Sequence, residues 1–327
     1  MNDFFHKIHV KLLYYLIDNW EDLSANPRWF IMRKFARFHF IRAWKNAYLK
    51  EADESILSPN SNSIFTDIDI PQVVELLEEY GLFQGLKLPQ TIVKEILDFS
   101  LSTNCYAGRK PSMGFHVWER EKAQLYYQTK ILSAKYFNTA SQCPAIKMLE
   151  QDPTLLKIAA RYLKTTPLHI GNSLFWSFPT DSDIYEQSKS AQVFHCDLDD
   201  YKFLKFFFYL TDVDLGCGPH VYILKSHKKK NFSSQILRGR ATEKDLIDYY
   251  GIENVVHICG SAGWGFAEDS FGNHKGSPPI TKPRLILQVE FATYDYGMQQ
   301  DIIDPIHLKS ISFSPVVSLK SYSAKTK

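Results

Sequence analysis

His195 and Asp197 are the pair of residues from which chemistry can first be argued. They stand in the segment Gln192-Val193-Phe194-His195-Cys196-Asp197. If this segment is a strand, positions i and i+2 share one side. An imidazole and a carboxylate then project together, while Phe194 and Cys196 face the other way. Two such groups can take adjacent corners of an octahedron. A third ligand from elsewhere would complete a two-histidine, one-carboxylate set with three open positions, an arrangement suited to Fe(II). An isolated His-x-Asp is also common by chance. Its plain reading is a strand-end histidine hydrogen-bonded to an aspartate.

The downstream segment from Gly272 to Arg284 supplies the expected third ligand. His274 lies in the run Gly272-Asn273-His274-Lys275-Gly276, and Arg284 follows ten residues later at the start of a strand-like stretch. Pleating would place Arg284, Ile286, Gln288 and Glu290 on one face, and Leu285, Leu287, Val289 and Phe291 on the other. A guanidinium inside a fold requires an anion, because an unpaired buried charge is very costly. The distal carboxylate of 2-oxoglutarate would serve, held by two parallel hydrogen bonds. The plain alternative for Arg284 is a surface residue paired with an ordinary carboxylate. His220, His227 and His257 compete for the third metal position, but none has an arginine at comparable spacing.

The elements that must position these groups are legible in outline. Aromatic spacing predicts a helix over residues 4–20, and a second, basic helix after Pro27 running through Trp29, Phe30, Phe35, Phe38, Phe40 and Trp44. Residues 52–64 read as a linker. Helices are expected over 71–81, 89–101, 122–139 and 153–164, so the chain up to about residue 165 reads as mainly α. Thereafter strands are expected at 174–178, 192–197, 203–211, 220–224, 255–258, 264–268 and 284–293, interrupted by one clear helix at 242–250. Helices followed by many strands predict an α+β fold with a double-stranded β-helix (jelly-roll) core flanked by helices. The expected domains are an N-terminal basic aromatic arm and linker (1–60), the jelly-roll domain (61–300) and a C-terminal tail (301–327).

Composition narrows the function classes. The 327 residues carry a net charge of +2, which does not point to nucleic acid. Residues 1–50 hold nine Lys/Arg against four Asp/Glu. This arm is expected to pack on the main domain, with contact to a membrane surface as the alternative. Five cysteines without paired metal-site spacing argue against a disulfide framework and for a reducing, cytoplasmic setting. The longest apolar run near the N-terminus has six residues, so neither a signal peptide nor a membrane span is expected.

Three blocks together resemble the phytanoyl-CoA dioxygenase family. They are His195-Cys196-Asp197; the run from Gly216 through Pro219 and His220 to Ser226-His227-Lys228; and Ala267 to Gly276 followed by Arg284. The resemblance covers roughly residues 65–295. It implies Fe(II) on His195, Asp197 and His274, 2-oxoglutarate as cosubstrate on Arg284, and O2. It also implies hydroxylation rather than halogenation, since chlorinating relatives lack the carboxylate retained here as Asp197. Two positions depart from the pattern. Leu224-Lys225 replaces the usual Pro-Gly, and Gly276 stands where relatives place a small polar residue, which leaves the near-metal end of the cosubstrate without an assigned contact. His227 reads as a structural hydrogen-bonder.

The expected activity is therefore a dioxygenase that hydroxylates a small molecule and releases succinate and CO2. The alternative is a non-catalytic metal- and 2-oxoglutarate-binding or regulatory protein of the same fold. Trp176, Phe178, Phe207, Tyr209, Tyr222, Trp264, Tyr294 and Tyr296 are candidates for an apolar pocket, with most expected in the core. The run Lys228 to Lys230 reads as a solvated loop, with attraction of an anionic substrate as the alternative.

Overall fold

Asp69 and Asp152 show how local sequence starts the helices that back the site. The Asp69 carboxylate accepts from the Gln72 amide, and Asp152 accepts from Thr154 and Leu155. Each satisfies amide groups left open at a helix start, and a proline follows in the first turn. Helix Ile70–Tyr80 stops at Gly81, whose φ of +77° suits glycine, and helix Pro153–Leu163 buries Leu155, Ile158 and Leu163 completely. The two helices pack on each other, and the second also packs on the large sheet. The computed structural model describes residues 20, 23–50, 52, 62–230, 242–298 and 301–311.

Eleven strands form two antiparallel sheets among the described residues. They are β1 (Leu82–Lys87), β2 (Cys105–Ala107), β3 (Gly114–Phe115), β4 (Ser133–Lys135), β5 (Leu168–Ser177), β6 (Phe203–Tyr209), β7 (His220–Ile223), β8 (Val255–Ile258), β9 (Trp264–Glu268), β10 (His274–Gly276) and β11 (Arg284–Ala292). The large sheet has the order β1-β9-β6-β11-β5-β4-β2-β3, and the small one β10-β7-β8. From β6 onward the chain passes back and forth between the sheets, with β7 and β8 together in the small one, which resembles the jelly-roll arrangement. Tyr209, Tyr222, Phe266 and Ile286 fill the space between them.

β11 runs through the middle of the large sheet, paired with β5 on one side and β6 on the other. Its alternation is as expected. Leu285, Leu287, Val289 and Phe291 enter the main core, and Arg284, Ile286, Gln288 and Glu290 line a cavity on the opposite face.

Several expectations are corrected. Residues 122–139 are not one helix: a helix at Arg120–Tyr127 gives way to β4, which pairs with β5. Nonlocal pairing with a buried strand outweighs the helix-forming composition there. The first half is still mainly α among the described residues, as expected, but it also contributes the short strands β1 to β4. The segment 192–197 is not a regular strand. His195 alone forms a bridge, to His274, although Asp197 still donates its amide to Ser270. The basic helix after Pro27 breaks into Pro27–Phe35 and His39–Asn46. A second helix, Ile184–Lys189, interrupts the strand region. Helix 4–20 falls almost wholly outside the described residues, as do most of the linker and the tail after 311.

The arm divides in its packing. Arg42 and Met32 are buried, with Arg42 donating to the Asp200 carbonyl and lying 3.8 Å from the centre of the Phe271 ring. Phe35, Phe40 and Trp44 remain exposed, so the aromatic face is not wholly absorbed by the main domain. No described helix is long and apolar enough to cross a membrane. All five cysteines are free.

Candidate metal centre

β10 and the extended segment before Asp197 bring three distant side chains to one point. His195 and His274 exchange both backbone hydrogen bonds at 2.9 Å, which sets their side chains side by side. Their ring centres are 4.3 Å apart. Asp197 Oδ1 lies 3.7 Å from His195 Nε2, and Asp197 Oδ2 lies 3.5 Å from His274 Nε2. One ligand atom from each of the three lies within 4.8 Å of the others. The i, i+2 logic holds here because the segment is extended, even without a full ladder.

The outer hydrogen bonds orient both rings. His195 Nδ1 is 2.9 Å from the Val193 carbonyl, and His274 Nδ1 is 3.0 Å from the Gly272 carbonyl. A carbonyl only accepts, so each Nδ1 carries its proton and donates. Each Nε2 is then left to face Asp197 with a lone pair available, which is how metal-binding histidines are prepared. The donor set of two imidazole nitrogens and one carboxylate fits Fe(II) with open positions.

Electrostatics point the same way. Burial and the neighbouring His274 lower the pKa of His195 to about 4. Burial also opposes a charge on His274, but the carboxylates of Glu268 and Asp197 outweigh it and raise that pKa to about 9. Burial would raise Asp197, yet Lys205 and the two histidines hold it well below the usual carboxylate range. In the metal-free protein His274 therefore carries a proton on Nε2 beside the ionised Asp197, 3.5 Å away, and a metal ion would displace it to free that lone pair.

The competing histidines lie elsewhere or are engaged. His220 Nε2 is 2.8 Å from Glu268 Oε2. His227 Nε2 faces the Glu78 carbonyl at 3.2 Å, a structural contact. His257 is exposed on the edge strand β8.

Arg284 is buried in the same cavity, 2% exposed. Its Nη1 donates to the Gly218 carbonyl and its Nη2 to Ser177 Oγ at 3.3 Å. Its Nε has no partner, and no described carboxylate forms an ion pair with it. Gly218 can present its carbonyl because its φ is +71° and a Cβ would lie 2.4 Å from the Ser277 carbonyl oxygen. A Cβ at Gly276 would sit 2.8 Å from Arg284 Nη2, so glycine there makes room for the guanidinium. That accounts physically for the departure noted at this position.

Two lysines were not anticipated. Lys205, the lone charge within the apolar strand β6, donates to Asp197 Oδ2 and Asp199 Oδ2 at 2.7 Å each and lies 3.5 Å from Glu290 Oε2. The signal available in sequence was the single lysine in Phe203-Leu204-Lys205-Phe206-Phe207. Lys135 on β4 pairs with Phe175 of β5, lines the cavity and is 4% exposed. Its ammonium forms no hydrogen bond or ion pair with the described residues and lies 6.0 Å from the Phe137 ring centre. Burial, and then the nearby Arg109, lower its pKa to about 8. The cavity encloses about 1220 Å3, its open mouth included. Of the candidate aromatics, Phe207, Tyr294 and Tyr296 line it, whereas Trp176, Phe178, Tyr209 and Tyr222 are core residues.

No family model matches the chain, and no curated protein matches it. Solved structures give broad but distant likeness. HygX from Streptomyces hygroscopicus, with nickel and 2-oxoglutarate bound, is 14% identical with a TM-score of 0.47, over 69% of this chain and 88% of that one. The α-ketoglutarate-dependent carbocyclase SnoK from nogalamycin biosynthesis is 15% identical with a TM-score of 0.45, over 73% and 91%. EctD from S. alaskensis with bound Fe is 14% identical with a TM-score of 0.46, over 74% and 83%. Likeness of this order gives no residue of this chain a role, and it does not single out the phytanoyl-CoA dioxygenase family.

Proposed function

We propose that the protein is an Fe(II)- and 2-oxoglutarate-dependent dioxygenase that hydroxylates a small molecule. The observation that carries this reading is the buried Arg284 guanidinium, which faces only neutral acceptors among the described residues and shares a cavity with His195, Asp197 and His274. A lone buried cation is stabilised by an anionic ligand, and a dianion that also chelates the metal satisfies both features at once. Iron(II), 2-oxoglutarate and O2 would supply the oxidising chemistry, with succinate and CO2 as co-products.

The chain's own residues divide the work. His195, Asp197 and His274 would hold the metal on one side and leave the cavity side open. Arg284 would take the far carboxylate, and Lys135 would add a second positive charge to the binding of the dianion. Lys205 holds one oxygen of Asp197, which favours ligation through the other. Phe175, Phe207 and Ile286 provide apolar walls that limit water near the reacting groups. Succinate formed by the iron-loaded protein supplied with 2-oxoglutarate and O2 tests the activity. No succinate across a broad panel of small molecules, despite full iron and 2-oxoglutarate loading, would favour the non-catalytic binding protein.

The role given to Lys135 has a pH signature. The charged ammonium binds the anion, so affinity for 2-oxoglutarate should be level below about pH 8 and fall as pH rises beyond it. Arg284 remains charged throughout, so the fall should be partial. Calorimetric titration from neutrality to well above pH 8 reads this directly. Lys135→Met should bind more weakly at neutrality and lose the slope, and an unchanged slope in that variant would remove Lys135 from the site.

A further inference from the structure

We propose that the end of the cavity around Glu290 is the substrate subsite, and that it takes a ring bearing hydroxyl groups. This rests on the oxygenase reading and adds a substrate class to it. Arg284 and Glu290 are six residues apart on the same face of β11, or about 20 Å at the usual strand rise. Glu290 pairs in register with Lys205, which holds Asp197. The cosubstrate's anchoring arginine therefore lies at one end of the cavity, and Glu290 lies at the other, beside the metal-binding carboxylate.

Glu290 is 8% exposed and lines the cavity. Its Oε2 accepts from Gln288 Nε2 at 3.2 Å and lies near Lys205, but its Oε1 is buried without a hydrogen-bond partner. An unsatisfied buried oxygen is destabilising unless a ligand donates to it. Burial, with Asp199 and Asp197 adding to it against the pull of Lys205, raises the Glu290 pKa well above the usual carboxylate range, and Lys205 already occupies Asp197 and Asp199, so a substrate ammonium would meet a cation there and no free anionic partner. The carboxylates of Asp197 and Asp199 turn away an anion. Neutral hydroxyl donors remain. Beyond Glu290, Trp29, Tyr294 and Tyr296 line the mouth, with the two tyrosine rings 4.7 Å apart. Helix Pro27–Phe35 is tied to this rim, since Asn26 Nδ2 donates to the Tyr296 carbonyl and Arg28 to the Tyr294 hydroxyl. Aromatic faces here offer a surface against which a ring can stack.

The test uses the full chain with redox-inert Zn(II) and 2-oxoglutarate, and reads ligand saturation transfer by NMR. Methyl β-glucoside, cyclohexylamine and cyclohexanecarboxylate are the probes. The glucoside should give the strongest transfer. Glu290→Leu should weaken it by about 2- to 10-fold, the loss of one hydrogen bond, while zinc and 2-oxoglutarate still load. Tyr294→Ala, at a half-exposed position, should weaken it without disturbing the core. Equal or stronger transfer to the amine or the carboxylate, transfer to none, or glucoside transfer unchanged in both variants overturns the subsite. Glucoside transfer that survives in a protein unable to bind 2-oxoglutarate would instead sink the oxygenase reading and leave the subsite standing.

Discussion

Asp197→Ala should abolish iron-dependent succinate formation and weaken metal binding by more than 100-fold. Loss of a group that merely orients a metal ligand typically weakens binding by about 10- to 100-fold, and Asp197 is proposed to be a ligand itself. The substitution also removes one of the acceptors of Lys205 and a partner of His274. Lys205 keeps Asp199, so the fold should survive with a modest change in thermal midpoint. His195→Ala should lose metal in the same way, although its ring hydrogen-bonds only to Val193 among the described residues. Metal content after anaerobic loading and gel filtration, read beside circular dichroism, separates loss of the site from loss of the fold. Either variant retaining full turnover would show that the metal site is misassigned.

Arg284→Leu carries the second large effect, and it should fall on a different ligand. Removing one partner of a buried charged pair costs about 2–5 kcal/mol, or roughly 30- to 4,000-fold in affinity. Affinity for 2-oxoglutarate should drop by that factor while metal binding changes little. The metal-free variant should be about as stable as the original protein. It loses two hydrogen bonds, to Gly218 and Ser177, but also a buried charge without a carboxylate partner. These terms oppose each other and are of similar size. A large loss of stability together with unchanged 2-oxoglutarate affinity would make Arg284 a structural residue.

The parts of the site legible in sequence were those fixed by local geometry. The alternation of β11 follows from the pleat alone, so Arg284 and Glu290 could be placed on one face without knowing their neighbours. The proximity of His195 to Asp197 needs only an extended backbone. It therefore survived the absence of a regular strand at 192–197. What sequence did not show depends on partners far along the chain. β4 exists because Ser133 to Lys135 pair with β5, more than thirty residues later. Read alone, the segment has helix-forming residues, and that reading hid Lys135. Lys205 was overlooked because its meaning comes from Asp197, Asp199 and Glu290, which only the fold assembles. The arm illustrates the same limit. Its aromatic spacing indicated helices, but that spacing could not tell that Trp29 would line the cavity while Phe35, Phe40 and Trp44 face outward.

Anaerobic titration of the full chain with Fe(II) and 2-oxoglutarate, followed by visible absorption, bears on the central assignment most directly. A charge-transfer band should appear only when both are present, should saturate at one iron per chain, and should be absent in Asp197→Ala and much weaker in Arg284→Leu. If iron binds without any change on adding 2-oxoglutarate, or the band persists undiminished in Asp197→Ala, the three side chains do not form the centre described.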